Sequence, residues 1–247
     1  MTQGRIVEIS EQGDPEVMEV KSHNFADPGE GEVLIHQKAL GMNFLDVYHR
    51  SGVYPLSMPS GVGTEAAGFA AKVGANVAEF KEGDRVAYGG GLPGGYADYR
   101  NMPADRIVSI PDGVTYEQVA TSLMKGMTVE YLLERVYPVQ AGQWVLFFAA
   151  AGGVGLIAGQ WGRSIDAHMI GVAGGPEKCK LALDNGYDVC VDRHAGEDVV
   201  AKVADLTNGG GVPVVYDSIG KDTFGTTLDC LGPRGYFVSF GTTSGPV

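Results

Sequence analysis

An apolar run, Trp144-Val145-Leu146-Phe147-Phe148, leads into Ala149-Ala150-Ala151-Gly152-Gly153-Val154-Gly155, and a helix-like segment follows. Residues of these types in this order make an anion cradle. A strand-to-helix turn leaves backbone N–H groups pointing outward, and the helix dipole adds partial positive charge. Glycine lets the backbone approach a pyrophosphate with no Cβ in the way. The chemistry indicated is dinucleotide binding, carried by Ala151, Gly152, Gly153, Val154 and Gly155. A bare GGVG is weak evidence, since an ordinary strand-to-helix turn can read the same way. Later strand ends add weight: Ala173-Gly174-Gly175, Asp192-Arg193-His194, Asp217-Ser218-Ile219-Gly220 and Phe240-Gly241-Thr242 are all small or polar. In an open α/β sheet, ligands bind at those ends.

The second strand end also bears on which dinucleotide binds. NAD-specific domains usually place Asp or Glu there for the ribose 2′-OH. This chain has Ala173-Gly174-Gly175-Pro176, with Glu177 nearby, then Lys178, and Arg193 at the third strand end. Open space beside cations suits a 2′-phosphate, so the expected cofactor is NADPH. Solvated surface is the competing reading of Lys178 and Arg193.

The elements that must position these residues fall into two halves. Residues 1 to about 112 read as short strands between Gly, Pro and Asp turns, at 5–9, 32–39, 67–74 and 82–88, a barrel-like all-β module. Thr115-Tyr116-Glu117-Gln118 then reads as an N-cap, with helical spacing to Val136 and Gly126 as a potential break. Strands at 144–149, 168–173, 188–192, 212–217 and 236–241 alternate with helices near 154–165, 176–185, 196–207 and 221–231. This βαβ order implies a parallel sheet, the Rossmann arrangement. The expected division is 1–125 and 126–247. The helix after the turn places Val154, Ile157, Ala158, Trp161 and Ile165 on one face. Gly159 and Gly162 each weaken it by about 1 kcal/mol relative to Ala unless close packing compensates.

A formal net charge of −12 over 247 residues, with scattered Lys and Arg, disfavours a nucleic-acid partner. The three cysteines form no CxxC, which fits a reducing, cytoplasmic setting. No apolar run approaches the ~18 residues of a membrane span.

The stretch from Gly142-Gln143 through Leu146, Ala150-Ala151-Gly152-Gly153-Val154-Gly155, Gln160 and Arg163 resembles the quinone oxidoreductase/zeta-crystallin group of the medium-chain dehydrogenase/reductase superfamily. Gly41-Met42-Asn43-Phe44-Leu45-Asp46, Ser51-Gly52-Val53-Tyr54-Pro55, Gly61-Val62-Gly63-Thr64-Glu65-Ala66-Ala67-Gly68 and Gly83-Asp84-Arg85-Val86 are similar to its catalytic domain. Leu123-Met124-Lys125-Gly126-Met127-Thr128 and Val215-Tyr216-Asp217-Ser218-Ile219-Gly220 match as well. The resemblance implies an α/β protein with a GroES-like β-barrel catalytic domain and a Rossmann domain lacking its last strand. Zinc members of the superfamily carry Cys and His where this chain has Asn43 and Thr64. Their four-cysteine lobe is missing too, so the expectation is a zinc-independent enzyme.

The resemblance further implies that Asn43, Tyr48 and Tyr54 line the nicotinamide and acceptor cleft. Asn43 would hydrogen-bond the cofactor or the acceptor carbonyl; each tyrosine offers a hydroxyl and an aromatic wall. Loop anchoring and ordinary packing are the competing roles. By the same resemblance, Lys125 and Thr128 reach toward nicotinamide and phosphates. Ser218, Phe240, Gly241 and Thr242 border the cofactor. Lys178, with Arg193 or His194, lies near the adenosine 2′-phosphate, with Gly174 beside them; which of 193 and 194 makes the contact stays open. The chain ends at Gly245-Pro246-Val247, where the family continues into a sixth strand that is commonly the dimer edge. A C-terminally truncated sequence is therefore expected, homodimeric when full length. The expected activity is quinone reduction by hydride transfer from NADPH. An enone reductase and an NADPH-binding, crystallin-like protein with little turnover are the alternatives.

Overall fold

A computed structural model describes residues 1–247. The chain forms two compact units, Met1–Met124 and Lys125–Val247.

The first unit is built on two antiparallel sheets. Strand β1 (Thr2–Ile9) pairs with β2 (Met18–Phe25) along its whole length and with β4 (Ser60–Gly61) at its end. The larger sheet has the order β7-β3-β5-β6-β8, from β3 (Glu32–Gly41), β5 (Glu65–Val73), β6 (Arg85–Gly89), β7 (Tyr99–Pro103) and β8 (Val108–Ser109). An isolated bridge pairs Ile6 of β1 with Ala97, just before the larger sheet's edge strand β7. Val33, Ile35, Ala66, Ala70, Val86 and Tyr88 pack a shared core. The strands expected from alternation are present. Strands β2, β7 and β8 escaped that reading because they are mostly polar or very short. Helix α1 (Phe44–Ser51) follows β3 and ends at Gly52, whose φ of 91° is the left-handed cap glycine favours.

Helix α2 (Tyr116–Glu130) continues unbroken through Gly126 and is followed by a π turn, Tyr131–Val136. The expected break at Gly126 therefore does not occur. An added Cβ at Gly126 would meet nothing within 4 Å, so its glycine is a propensity cost without a packing role.

The second unit is one parallel sheet of order β11-β10-β9-β12-β13. Its strands are β9 (Trp144–Phe148), β10 (His168–Ala173), β11 (Val189–Asp192), β12 (Val212–Asp217) and β13 (Leu231–Ser239). The chain leaves β9 toward β10 and β11, then returns to lay β12 on the other side. A sheet that reverses in this way opens a crevice beyond its central strand ends. Helices α3 (Gly153–Ser164) and α4 (Pro176–Asp184) contribute Ala158 and Ala182 to the core on one face. Helices α5 (Val199–Leu206) and α6 (Phe224–Cys230) contribute Val199, Val203 and Cys230 to the core on the other.

Three expectations need correction. Helix α5 starts at Val199 rather than 196, because Asp198 accepts the N–H of Ala201 at 3.1 Å as an N-cap while residues 193–195 form a separate turn. Helix α6 starts at Phe224 rather than 221, with Thr223 turned to a buried carboxylate. Strand β13 begins at Leu231 rather than 236, and its pairing with β12 shifts register between Val212 and Val214.

The inner face of α3 is also narrower than its apolar spacing suggests. Val154, Ile157, Trp161 and Ile165 are only partly buried against the core. Its fully buried positions are Gly155, Ala158, Gly159 and Gly162. A Cβ on Gly159 would come within 2.5 Å of the Tyr187 ring, and one on Gly162 within 2.4 Å of Met169 Sδ. The helix lies so close to its neighbours that only glycine fits, which is the compensation their low propensity requires.

Candidate functional site

The glycine turn is set by backbone geometry. Ala149 has a φ of 54°, uncommon for a residue with a side chain and frequent where strain is held at a site. The N–H of Gly152 donates to Ala149 O at 2.8 Å, and that of Leu156 to Gly152 O at 2.9 Å. Gly152 and Gly153 are exposed and Val154 half-exposed at the helix start, while Gly155 is buried. A Cβ on Gly155 would meet the carbonyls of Ala149 and Ala150 at 2.5 Å. A Cβ on Gly153 would meet only the aliphatic chain of Lys125, at 2.8 Å. The Lys125 side chain thus lies on the turn, with half-buried Thr128 three residues further along α2.

Beside this turn is a cavity of about 290 Å³ lined by Ala151, Gly152, Gly174, Lys178, Arg193 and His194, with Phe148, Val172 and Ile219 as its apolar part. Six of the residues expected to hold the cofactor are therefore brought together. A second cavity of about 280 Å³ shares Phe148, Val172 and Arg193 and adds Glu197, Asp198 and Asp222. The His194 ring lies over the backbone of Gly174, where an added Cβ would be 2.7 Å from Nε2.

One expectation about this corner is corrected. No carboxylate belongs to the second strand end, yet one reaches it from the third. Asp192 Oδ1 accepts the N–H of Gly175 at 2.7 Å, of His194 at 2.9 Å and of Ala195 at 3.4 Å. The N–H of Gly175, with those of His194 and Ala195, holds this carboxyl below the usual carboxylate range. Asp192 is thus occupied in shaping the turn that presents Arg193 and His194.

Ser218, Phe240, Gly241 and Thr242 do not line that cavity. They form a loop pair of their own. Thr243 N donates to Ser218 O at 3.2 Å, and Phe240 N donates to Asp217 O at 2.9 Å. A Cβ on Gly241 would meet Ser218 O at 2.9 Å. Buried Asp217 organises this corner, with Oδ1 accepting Ile219 N at 2.6 Å and Oδ2 accepting the hydroxyls of Thr223 at 2.6 Å and Thr227 at 2.9 Å.

In the first unit, Asn43 caps α1 and Tyr48 lies on it. Tyr48 is 7% exposed, and its ring sits 5.2 Å from that of Phe44 and 5.3 Å from that of Tyr54. Tyr54 is 45% exposed and Phe44 53% exposed, so the cluster has a buried middle and two accessible rings. Gln12 Nε2 donates to Tyr54 O at 2.8 Å and holds the loop.

A buried polar network that sequence reading missed stands under Asn43. Asp46 Oδ2 accepts Asn43 N at 2.9 Å and the Tyr96 hydroxyl at 2.8 Å, and Asp46 Oδ1 accepts the Thr64 hydroxyl at 3.1 Å. Burial, and then the Asp46 charge, push the Tyr96 hydroxyl well above its ordinary range. Glu65, fully buried, accepts Asn43 Nδ2 at 2.7 Å and Met124 N at 2.7 Å. The Asn43-x-x-Asp46 spacing is a capping-box pattern and was the available signal. Asn43 and Thr64 are thus both committed to carboxylates, and no group of three His, Cys, Asp or Glu side chains is placed to hold a metal ion.

Comparison with known proteins agrees with this architecture. Residues 29–112 match the alcohol dehydrogenase GroES-like domain, and residues 153–247 match the zinc-binding dehydrogenase family model. A quinone oxidoreductase of Pseudomonas aeruginosa is 46% identical over 98% of this chain and 74% of its own length. A 2-haloacrylate reductase of a Burkholderia species is 38% identical over 96% of this chain and 73% of its own length. The crystal structure of Escherichia coli quinone oxidoreductase complexed with NADPH superposes with a TM-score of 0.96 at 45% identity, covering 98% of this chain and 74% of that one. The glycine turn, the five parallel strands and an identity of this size over nearly the whole sequence have one explanation: the chain belongs to the quinone oxidoreductase family of the medium-chain dehydrogenase/reductase superfamily.

Proposed function

We propose that this protein binds NADPH on its Lys125–Val247 unit and reduces a quinone by hydride transfer, without a metal ion. The observation that carries the reading is the cavity that joins the glycine turn to Lys178, Arg193 and His194. Exposed N–H groups at a helix start suit a pyrophosphate, and cations at the second and third strand ends suit a 2′-phosphate. The neighbouring cavity, with Phe148 and Val172 beside Glu197 and Asp198, suits a purine with an exocyclic amine. Lys125 and Thr128, and the loop of Ser218, Phe240, Gly241 and Thr242, are assigned to the rest of the cofactor.

When bound, NADPH supplies the hydride. The acceptor gains that hydride and one proton, and leaves as a hydroquinone. The residues of the chain position it. The accessible rings of Phe44 and Tyr54 offer a wall for a flat acceptor, with the Tyr54 hydroxyl at its rim. Asn43 supplies a fixed hydrogen-bonding group to the cofactor or acceptor. Zinc chemistry is disfavoured by the donor set, an amide and a hydroxyl already bonded to carboxylates.

An activated alkene is the second acceptor class, favoured by the similarity to the 2-haloacrylate reductase. A homodimer and a cytoplasmic location complete the proposal; no helix is long and apolar enough to cross a membrane. The test is an acceptor screen that follows NADPH oxidation with quinones and enones in parallel, together with NADPH and NADH dissociation constants and a zinc determination. Turnover of quinones with tighter NADPH binding is expected. Equal or tighter NADH binding, stoichiometric zinc, or NADPH binding with no turnover of any acceptor would each overturn part of the reading.

A further inference from the structure

We infer that Glu65 is a positioning residue for hydride transfer, fixing the orientation of the Asn43 amide. This inference rests on the assignment of Asn43 to the reacting site.

The argument starts from hydrogen-bond polarity. Each Glu65 oxygen accepts an N–H: Oε2 from Asn43 Nδ2 and Oε1 from Met124 N, both at 2.7 Å. An amide must turn its nitrogen, not its oxygen, to such a partner. The Asn43 flip is therefore set by chemistry, and Oδ1 faces away from Glu65. The backbone of Asn43 is fixed separately, through its N–H to Asp46 Oδ2 at 2.9 Å. Asp46 is itself held by Thr64 and Tyr96. Main chain and side chain are thus locked by two different carboxylates.

Space has been made for this arrangement. Glu65 is fully buried at the first position of β5, opposite Gly41 of β3. A Cβ on Gly41 would lie 2.4 Å from Glu65 Oε2 and 2.3 Å from Ala120 O. A buried charged side chain is costly, and an apolar residue would fill the same volume without that cost. What an apolar residue lacks is a pair of directional acceptors, one for the Asn43 nitrogen and one for Met124 N. With Nδ2 turned to Glu65, the amide holds its oxygen as an acceptor and its second N–H as a donor in fixed positions.

A double-mutant cycle tests this. Glu65→Leu and Asn43→Ala are made singly and together, and kcat, acceptor KM, NADPH dissociation constant and melting temperature are measured. Glu65→Leu, which removes the acceptor outright, is expected to lower kcat at least ten-fold, and to have no further effect on kcat in the Asn43→Ala background. The same loss persisting in that background would mean that Glu65 acts through Met124 or the fold, and would overturn the inference. Full activity of Asn43→Ala would instead remove the assignment of Asn43. The exchanged pair Asn43→Asp with Glu65→Gln keeps a nitrogen facing an oxygen, and the amide oxygen that Glu65→Gln retains is still able to accept Met124 N. It should recover most of the activity lost in Asn43→Asp, and no recovery counts against the inference. In the protein without cofactor, the Asn43 side-chain N–H signals should exchange with solvent at least ten-fold faster in Glu65→Leu. Unchanged exchange also overturns the inference, and this readout stands if Glu65→Leu is folded but inactive.

Discussion

His194 and Gly174 share one space: the imidazole lies where a side chain on residue 174 would begin, 2.7 Å from Nε2 to the ideal Cβ position. Gly174→Ala must therefore displace the ring from the cavity wall. A lost charge-assisted contact of about 1.5 kcal/mol corresponds to roughly ten-fold weaker NADPH binding. Fluorescence titration should show that loss for NADPH and a change of less than about two-fold for NADH, since only the former carries the phosphate that this corner would hold. A parallel loss for both cofactors would place His194 elsewhere in the recognition.

Asp192 is the cap on which this corner depends. Its carboxyl is held below the ordinary range by the N–H of Gly175 and its neighbours. A depressed value means that the stabilisation is complete above the ordinary carboxylate pKa, about 3.9, and is lost as pH falls through the lower folded-state value. Hydrogen exchange at residues 193–196 should thus be insensitive to protonation of Asp192 at neutral pH and should accelerate only in strong acid. Asp192→Ala should expose the same amides at every pH and weaken NADPH binding.

The two glycines flanking Val154 should behave oppositely. Gly155→Ala drives a methyl group into the carbonyls of Ala149 and Ala150, which are backbone and cannot step aside. Overpacking of this kind costs about 1–3 kcal/mol, read as a lower denaturation midpoint. Gly153→Ala meets only the flexible Lys125 chain, so stability should hold while NADPH binding weakens.

Tyr54 is exposed enough for its hydroxyl to matter to an acceptor and too exposed for it to matter much to folding. Tyr54→Phe should leave the denaturation midpoint within about 0.5 kcal/mol of the parent, as surface changes do. Quinone kcat/KM should fall by about ten-fold, the loss expected of one hydrogen bond. Unchanged turnover would leave Tyr54 as packing alone.

The parallel sheet was legible because its apolar runs end in glycine and polar residues at regular intervals. So was the corner of Lys178, Arg193 and His194, since strand ends in such a sheet point to one edge. Asp192 was hidden by its own position. It belongs to β11, and only parallel pairing with β10 brings it to the N–H of Gly175. Glu65 and Asp46 were hidden differently. Glu65 is buried through strand pairing that its local pattern does not specify, and Asp46 was signalled only by its capping spacing from Asn43. Where α5, α6 and β13 begin was misjudged because a cap at Asp198, a hydroxyl at Thr223 and a register shift near Val212 outweigh propensity.

The glycine-lined face of α3 carries an evolutionary consequence. Tyr187 packs on Gly159 and donates its hydroxyl to Gly155 O at 2.8 Å, while Met169 fills the space at Gly162. Residues 159 and 187, and residues 162 and 169, are therefore not free to drift independently. An alanine at 159 needs a smaller residue at 187 and a shift of the Asn185 carbonyl, which lies 2.5 Å from the same Cβ position, and shrinking Tyr187 first abandons the carbonyl it caps. Each ordering passes through an unfit intermediate, so the approach of this helix to its sheet should be among the slowest-changing dimensions of the lineage.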